Sequence, residues 1–441
     1  MGESADPPFE TTYKNLFSNS PDSTLQKDSG PELIVEESEL PLIDLNQLNL
    51  GDLEKQACQK LIAQASREWG FFQVINHGIS RDVLETMRAE QVKLMKKPFL
   101  DKTNCKDSNL SAGSYRWGTP SATSLEHLSW SEAFHVSLTD VLGSGGHNSL
   151  SSRMEQFATT VLKLAQTLAD ILAEEIGDKT CFFKETCLAS TCYLRLNRYP
   201  PCPLIHPYKM FGIIPHTDSD FLTVLYQDNI GGLQLVKDGR WIAVKPNPQA
   251  LIINIGDLFQ AWSNNVYKSV KHRVVANARN ERFSTAFLFC PSSDTVIRSR
   301  GLYKSFSFGE YRQQVQQDVD VFGHKIGLSR FLASRRTSAA GHTGQPEPKL
   351  TLLRRHVRVF IPHSLRPGRI IKRRSLGPFP TDPVHRRGGV NGRVNPTMWR
   401  FVVQFTHPVF WGSMGKNSIY DEKVRRIEAT IDDGGLALKS A

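Results

Sequence analysis

The sequence lacks the features that mark secreted and membrane-spanning chains. No apolar run approaches the roughly 18 residues that a transmembrane helix needs, and the acidic, polar first residues contain no apolar segment typical of a secretory signal. The seven cysteines are scattered between Cys58 and Cys290 without a C-x-x-C pair. We therefore expect reduced thiols and no membrane partner in a cytoplasmic protein, with the nucleus as a possible additional compartment.

The positive charge is confined to one part of the chain. The formal net charge is +10. Residues 334–441 contain 20 Lys and Arg against 7 Asp and Glu, a net +13, whereas residues 1–333 contain 34 against 37, a net −3. The basic excess therefore belongs to a tail and predicts no nucleic-acid partner for the chain as a whole.

Composition divides the chain into four regions. Residues 1–39 are rich in Ser, Pro and acidic groups and are predicted to be disordered. Residues 40–185 carry helical patterns, and residues 186–333 carry short strands followed by a final helical pattern. Residues 334–441 form a basic tail, rich in Arg, Pro and Gly, that we expect to have little order and whose role the sequence leaves unknown.

Two of the helical patterns give testable boundaries. The first has Asp52 as candidate N-cap, and the longest lies between about Ser151 and Ile176. In the first pattern, the apolar residues at a spacing of four, which are expected on one buried face, are Leu53, Ala57, Leu61, Ala65 and Trp69.

From Cys192 onward the pattern changes to short strands separated by turn residues. The predicted strands are YLRLN, FLTVLY, LQLV, WIAV, LIINI, VVAN and FSTAFLF. Strands this short and evenly spaced favour a β-sandwich or a jelly-roll barrel. The predicted fold class is mostly β with flanking helices.

A possible metal site begins with His216 and Asp218, two residues apart. In an extended strand these side chains would point to the same face. A later predicted strand supplies His272. Each residue alone is more often a surface or hydrogen-bonded group than a ligand, but together they match the 2-His-1-carboxylate triad that holds Fe(II).

A possible anion site lies ten residues after His272. Arg282 and Ser284 share one face of a predicted strand, and Asn197 and Tyr199 share a face of another. A guanidinium binds a carboxylate through two parallel hydrogen bonds, and a nearby hydroxyl adds a third donor. Taken alone, Arg282 could form an ordinary ion pair on the surface. Beside a metal triad, it is suited to binding one carboxylate of a dicarboxylate co-substrate.

The motifs that carry this pattern also carry a family resemblance. They are NRYPPCP, PHTDSDFLTVLYQD, GGLQLVKDGRWIAVKP, IINIGDLFQAWSN, YKSVKHRVVAN and RFSTAFLFCP. Together they resemble the plant 2-oxoglutarate and Fe(II)-dependent dioxygenase family. PLIDL and REWGFFQVINHGI resemble the N-terminal region of that family, so the match covers roughly residues 40–333 in order. Residues 114–140 resemble gibberellin 2-oxidases, particularly the branch that acts on gibberellins of longer skeleton. The tail from Ser334 has no counterpart in this resemblance.

The resemblance implies a fold, cofactors and a reaction. The implied fold is a double-stranded β-helix of the jelly-roll or cupin type with a helical N-terminal region. His216, Asp218 and His272 would hold Fe(II), while Arg282 and Ser284 would bind the far carboxylate of 2-oxoglutarate, with ascorbate as reductant. With O2, the products would be succinate, carbon dioxide and a 2β-hydroxylated, inactivated gibberellin.

The substrate pocket is the least determined part of the sequence. Because gibberellins are acidic diterpenoids, the pocket should combine an apolar wall with a cation. Candidates are Tyr115, Arg116, Trp117 and Arg195, each of which could equally be a packing or surface residue. Two alternatives remain: the same iron chemistry on another small plant metabolite, such as a flavonoid or another hormone, and a non-catalytic ligand-binding role on the same fold. The sequence leaves the preferred gibberellin and the oligomeric state open.

Overall fold

The protein divides into two compact units, Met1–Arg336 and Thr337–Ala441. The computed structural model describes residues 4–18, 35–105, 110–111, 113–143, 149–203, 210–299 and 301–333, together with the backbone of residues 401–402, 427–432 and 435–440. Among the described residues, no helix is both long enough and apolar enough to cross a membrane.

Helices of the first unit surround its strands. Their bounds are α1 Phe9–Thr12, α2 Lys14–Ser18, α3 Asp52–Glu68, α4 Arg81–Met95, α5 Phe99–Thr103, α6 Leu138–Gly143, α7 Ser149–Glu174, α8 Phe182–Thr186, α9 Asp257–Trp262 and α10 Phe308–Phe322. Short 3-10 helices lie at Leu45–Asn49, Leu125–His127, Ala189–Thr191 and Gly327–Phe331.

The strands of the first unit form two main sheets. Their bounds are β1 Glu37–Ser38, β2 Leu42–Asp44, β3 Phe71–Ile75, β4 Tyr115–Trp117, β5 Glu132–Ser137, β6 Tyr193–Tyr199, β7 Phe211–His216, β8 Leu222–Gln227, β9 Leu233–Lys237, β10 Arg240–Val244, β11 Leu251–Ile255, β12 His272–Val275, β13 Arg282–Phe289, β14 Val296–Ile297 and β15 Phe306–Ser307. The small sheet has the order β1-β10-β9-β12-β7, and the large sheet has the order β2-β3-β11-β8-β13-β6-β5-β4. The prediction of a mostly β fold with flanking helices is confirmed, as are the seven predicted strands.

Strand β13 shows how the large sheet separates core from site. Phe283 and Phe287 belong to the main apolar core, which also contains the buried stripe of α7. The alternate residues, Ser284, Ala286 and Leu288, line a cavity on the opposite face. Because successive strand residues point to opposite faces, one strand contributes to both regions.

Helix α3 buries a face that matches the predicted one only in part, because Ala65 is buried as predicted but other members are not. Leu53 is 80% exposed and Leu61 is 47% exposed, whereas Cys58 and Ile62 are fully buried. The helix begins at Asp52 with Gly51 as N-cap, so the prediction of Asp52 as N-cap is wrong by one position. Its position against α7 and the adjoining 3-10 helix decides which apolar set is covered.

The N-terminal region is ordered where the structure describes it. Within residues 4–18, Phe9 is buried and its ring stacks on Trp130 with centroids 4.3 Å apart. The hydroxyl of Tyr13 accepts a hydrogen bond from the backbone N–H of Thr119 at 2.9 Å. The prediction of disorder is therefore wrong for this stretch, because two aromatic side chains bury enough apolar surface to fix it.

Strands from residues 40–185 and from residues 186–333 share the large sheet. The boundary expected at residue 185 thus does not separate two sheets.

In the second unit, the backbone forms an antiparallel sheet in the order β16 Phe401–Val402, β17 Ile427–Asp432 and β18 Gly435–Ser440. The sequence Asp433-Gly434 between the last two strands is a dipeptide typical of hairpin turns, a signal that the sequence analysis did not use.

Candidate active site

Three side chains with metal-ligating atoms meet at one point. The ligand atoms of His216, Asp218 and His272 all lie within 4.8 Å of one another. The Oδ1 atom of Asp218 is 3.5 Å from Nε2 of His216 and 3.8 Å from Nε2 of His272. Two imidazole nitrogens and one carboxylate oxygen are the donor set of a non-haem Fe(II) site, so these residues fit that metal.

The three residues reach this point by different routes. His216 ends β7 and His272 begins β12, and the two are paired partners in these antiparallel strands. Asp218 lies in the loop after β7, so the prediction that it shares a strand face with His216 is wrong. Its carbonyl oxygen accepts a hydrogen bond from the backbone N–H of Asp257 at 2.9 Å, which fixes the loop against the start of α9.

Both imidazole rings are oriented as metal ligands. Nδ1 of His216 lies 2.8 Å from the carbonyl oxygen of Ile214, and Nδ1 of His272 lies 3.1 Å from that of Val270. Because a carbonyl only accepts, each Nδ1 carries the hydrogen and each Nε2 keeps its lone pair for a metal. Burial, with the neighbouring His216 acting in the same direction, lowers the pKa of His272 to about 4, so this ring is neutral near pH 7.

The Asp218 carboxylate is also held by hydrogen bonds. Its Oδ2 atom accepts from Oγ1 of Thr223 at 2.6 Å and from Nδ2 of Asn254 at 2.9 Å, which leaves Oδ1 facing the two imidazoles. Burial alone would raise the pKa of Asp218, but His272 and His216, in their protonated forms, and the hydrogen bond from Thr223 hold it well below its usual range. Asp218 is therefore an anion, and Thr223 and Asn254 set which oxygen it offers.

Arg282 provides a buried cation in the same cavity. It is only 2% exposed, its guanidinium lies 4.7 Å from the ring centroid of Tyr199, and its Nη2 donates to Oε1 of Gln227 at 2.7 Å. Within the described part of the chain, its Nε and Nη1 have no hydrogen-bond partner. Since leaving buried charged donors unpaired is costly, these nitrogens are suited to donating to an anionic ligand.

The residues predicted beside Arg282 are found there. Arg282 pairs with Tyr199 and Ser284 pairs with Asn197 across β13 and β6. Oγ of Ser284 accepts from Nδ2 of Asn197 at 3.3 Å and lies 3.5 Å from the hydroxyl of Tyr199. The four side chains thus form one polar group on the cavity face of the large sheet.

The cavity joins the metal-ligating residues to Arg282. Its volume of about 80 Å³ exceeds the roughly 10–15 Å³ that one water molecule requires, so it can hold a ligand of several heavy atoms. Between the two polar ends, its wall is apolar and includes Phe71, Leu225, Ile252 and Val274. An apolar wall with a few convergent polar groups is typical of a small-molecule site.

The four predicted substrate residues have different locations. Arg195 lines the cavity, and Arg116 is exposed on β4. Tyr115 is buried, and its hydroxyl donates to Oε2 of Glu132. The ring of Trp117 packs edge-on against Phe9, with centroids 5.4 Å apart. Tyr115 and Trp117 do not line the cavity, because they lie on the opposite face of β4 from Arg116 and pack into the core.

A buried ionic cluster that was not predicted from the sequence supports the Asp218 loop. Nζ of Lys325 lies 2.6 Å from Oδ2 of Asp257 and donates to the carbonyl of Thr217 and to Oγ of Ser219, both at 2.9 Å. The hydroxyl of Tyr311 also donates to Asp257. The sequence signal that could have identified Asp257 is its carboxylate, which stands within the apolar segment IINIGDLFQAW. The sequence does not show which residues are its partners.

Comparisons with known proteins agree with this geometry. The model of the 2OG-Fe(II) oxygenase superfamily matches residues 190–291, and the model of the N-terminal region of non-haem dioxygenases in morphine synthesis matches residues 40–150. Gibberellin 2-beta-dioxygenase 8 from Arabidopsis thaliana is 58% identical over an alignment of 340 residues, with coverage of 74% of this chain and 98% of that protein. Gibberellin 2-beta-dioxygenase 6 from Oryza sativa subsp. japonica is 47% identical over an alignment of 349 residues, with coverage of 74% of this chain and 96% of that protein.

Solved structures show the same fold. The crystal structure of JOX2 in complex with 2OG, Fe and JA has a TM-score of 0.55 and 29% identity, covering 71% of this chain and 94% of that chain. The dioxygenase for auxin oxidation in rice has a TM-score of 0.56 and 26% identity, covering 67% of this chain and 100% of that chain. These likenesses confirm the predicted jelly-roll fold and the expected cofactors, Fe(II) and 2-oxoglutarate. The chain therefore belongs to the 2OG-Fe(II) oxygenase superfamily and, within it, to the gibberellin 2-beta-dioxygenase family.

Proposed function

We propose that this protein hydroxylates gibberellins at the 2β carbon and so inactivates them. In this proposal, His216, Asp218 and His272 hold Fe(II), and Arg282 with Ser284 binds the far carboxylate of 2-oxoglutarate. The observation that carries the proposal is that the three ligand atoms and the unpartnered nitrogens of Arg282 face one cavity. The 58% identity to a gibberellin 2-beta-dioxygenase supports the substrate class.

The side chains of the site would act by positioning and by excluding water. When bound, Fe(II) would supply the oxidising chemistry with O2 as the oxidant, and 2-oxoglutarate would be oxidised to succinate and carbon dioxide as the substrate is hydroxylated. Asn197 and Tyr199 would keep Ser284 and Arg282 in place through the contacts described above. The apolar wall limits access of water, which strengthens the attraction between Arg282 and a carboxylate.

The proposal also covers the organisation and location of the chain. Residues 40–333 would act as one catalytic unit, because their strands share the large sheet. Residues 334–441 would be dispensable for turnover, and gibberellins of longer skeleton would be preferred. The structure records all seven cysteines as thiols, which suits the cytoplasmic location we propose.

The test compares the full chain with a chain ending at Leu332. Each would receive Fe(II), ascorbate, 2-oxoglutarate and a panel of gibberellins, and succinate and hydroxylated products would be measured by mass spectrometry. We expect a 2β-hydroxylated product from both chains. Succinate formed only with another small molecule, such as a flavonoid, would reject the gibberellin substrate, and metal binding without any substrate-dependent succinate would favour a non-catalytic binding role.

The hydrogen bond from Thr223 to Asp218 gives a second prediction. Thr223→Val keeps the side-chain shape but removes the hydroxyl donor, so Oδ2 of Asp218 loses one of its two hydrogen bonds. We expect apparent Fe(II) affinity to fall by about 10- to 100-fold, the usual effect of losing a partner of a metal ligand. Thr223→Ser keeps the hydroxyl and should bind metal like the native chain. Equal metal affinity in all three proteins would exclude a role for this hydrogen bond.

A further inference from the structure

Three arginines surround His135 on the cavity side of the large sheet. Arg195 lines the cavity and is half-buried, while Arg116 and Arg312 are exposed. Arg116 and Arg195 come from strands of the sheet, and Arg312 comes from α10. We call Arg116, Arg195, Arg312 and His135 the arginine rim.

The strand register places two of these arginines on the face that carries the active site. On β6, Arg195 and Asn197 both line the cavity. Their direct partners on β5 are His135 and Ala133, and the partner of Ala133 on β4 is Arg116. Since directly paired residues of neighbouring strands point to the same side, Arg116 and His135 extend the cavity face of the sheet beyond β6.

Helix α10 brings the third cation to this face. The guanidinium carbon of Arg312 lies 5.9 Å from the ring centroid of Tyr193, which precedes Arg195 by two residues on the same strand face. The rings of Tyr193 and His135 are 4.8 Å apart. The capping box between Ser307 and Glu310 fixes the start of α10, so the position of Arg312 is set by a well-defined helix end.

The charge of the rim has no compensating carboxylate in the described part of the chain. Among the described residues, no carboxylate lies within ion-pair distance of Arg116, Arg195 or Arg312. By contrast, Arg198, which points to the opposite face of β6, has Glu132, Glu281 and Asp6 as partners. Burial, together with the three arginines, lowers the pKa of His135 to about 3, so its ring is neutral and can donate or accept a hydrogen bond.

The rim is distinct from the site proposed for 2-oxoglutarate. Arg282 pairs with Tyr199 at one end of β6, whereas Arg195 pairs with Ala286 four residues along the strand. Nε of Arg195 donates to Oδ1 of Asn197 at 2.9 Å, and this contact leaves its terminal nitrogens available to a ligand. The two cations can therefore bind separate carboxylates at the same time.

We propose that the arginine rim binds the carboxylate of the diterpenoid acid substrate. This inference rests on the proposed function, because it presumes an acidic substrate that reaches the metal from the cavity. Ala286 and Leu288 line the cavity between the rim and the metal-ligating residues, and they provide an apolar surface for a hydrocarbon ring system. Arg116 and Arg195, suggested by the sequence, thus keep a substrate role, whereas Tyr115 and Trp117 do not.

The experiment uses the full chain and two forms of one gibberellin, the free acid and its methyl ester. Binding should weaken when the charge is removed from the substrate carboxylate or from a rim arginine. For the native enzyme we therefore expect the KM of the methyl ester to exceed the KM of the free acid by about 10-fold or more. Arg312→Gln and Arg195→Gln should raise KM for the acid by a similar factor, with a smaller effect on kcat. The ester KM should change by less than about 2-fold in Arg312→Gln, because the ester lacks the charge that this arginine recognises.

Arg279→Gln is the matched control, because Arg279 is an exposed arginine in the turn before β13. It should leave both KM values unchanged, and thermal unfolding would verify that every variant is folded. If the native enzyme hydroxylates acid and ester with equal KM, the rim does not bind the carboxylate, although the proposed function stands. If no gibberellin is hydroxylated by the native chain, the proposed function and this inference both fail. An acid KM unchanged in both rim variants would also overturn the inference.

Discussion

Asp218→Ala is expected to abolish substrate-dependent succinate formation and to weaken metal binding by more than about 100-fold. This loss of metal affinity should exceed the 10- to 100-fold loss that is typical when a residue hydrogen-bonded to a metal ligand is removed, because Asp218 is itself the anionic member of the ligand set. Two imidazoles would remain, and the donors of Thr223 and Asn254 would lose their shared acceptor. A divalent cation would then be held by less charge and in a less defined position.

Metal binding can be measured apart from turnover. A ligand that binds only the folded state stabilises it by about 2.7 kcal/mol when its concentration is 100 times its dissociation constant. We therefore expect Fe(II), added under anaerobic conditions, to raise the unfolding temperature of the native protein but not that of Asp218→Ala. The control is Asp320→Ala, an exposed carboxylate on α10. If Asp218→Ala is stabilised by the metal as strongly as the native chain, Asp218 is not a ligand.

The sequence was sufficient to predict the chemical groups of the site. Histidine, aspartate and arginine are uncommon in strands that face an interior, so His216, Asp218, His272 and Arg282 stood out against their apolar neighbours. Alternation along the strands also placed Ser284 beside Arg282, as the structure has it. These inferences needed only local patterns of period two.

Local sequence periodicity did not predict which residues pack against one another. Helix α3 carries two apolar sets, and the periodicity alone did not tell whether Leu61 or Ile62 would be covered. The fixing of residues 4–18 depends on Trp130, more than a hundred positions away. Such choices are made by tertiary contacts, to which a single sequence gives no direct access.

The same limit explains what was missed around Asp218. The pair His216 and Asp218 was read as one strand face, but the strand ends at His216 and the loop is held by Asp257 and Lys325. Lys325 follows Thr217 by 108 positions. The spacing of two residues predicted that His216 and Asp218 lie together, and in the structure they do so because the loop is held in place and not because they share a strand face.

Arg282→Met is expected to raise the 2-oxoglutarate concentration needed for half-maximal turnover by between about 30- and 4,000-fold. Truncating one partner of a buried charge pair costs about 2 to 5 kcal/mol, and each 1.4 kcal/mol corresponds to a factor of ten. Methionine retains much of the apolar stem that packs against Tyr199 but offers no donor to a carboxylate. The stabilisation by Fe(II) alone should be retained, since the ligand set is untouched.

A further variant separates the planar, two-donor geometry of the Arg282 guanidinium from its charge, and a second variant is the control. Arg282→Lys keeps a cation but replaces the planar fork with a single ammonium, so it should restore only part of the affinity for 2-oxoglutarate. Arg279→Met removes an exposed arginine three positions earlier and should leave that affinity unchanged. An unaltered requirement for 2-oxoglutarate in Arg282→Met would show that the carboxylate binds elsewhere. The unpaired Nε and Nη1 would then need another anion, because the described protein groups supply none.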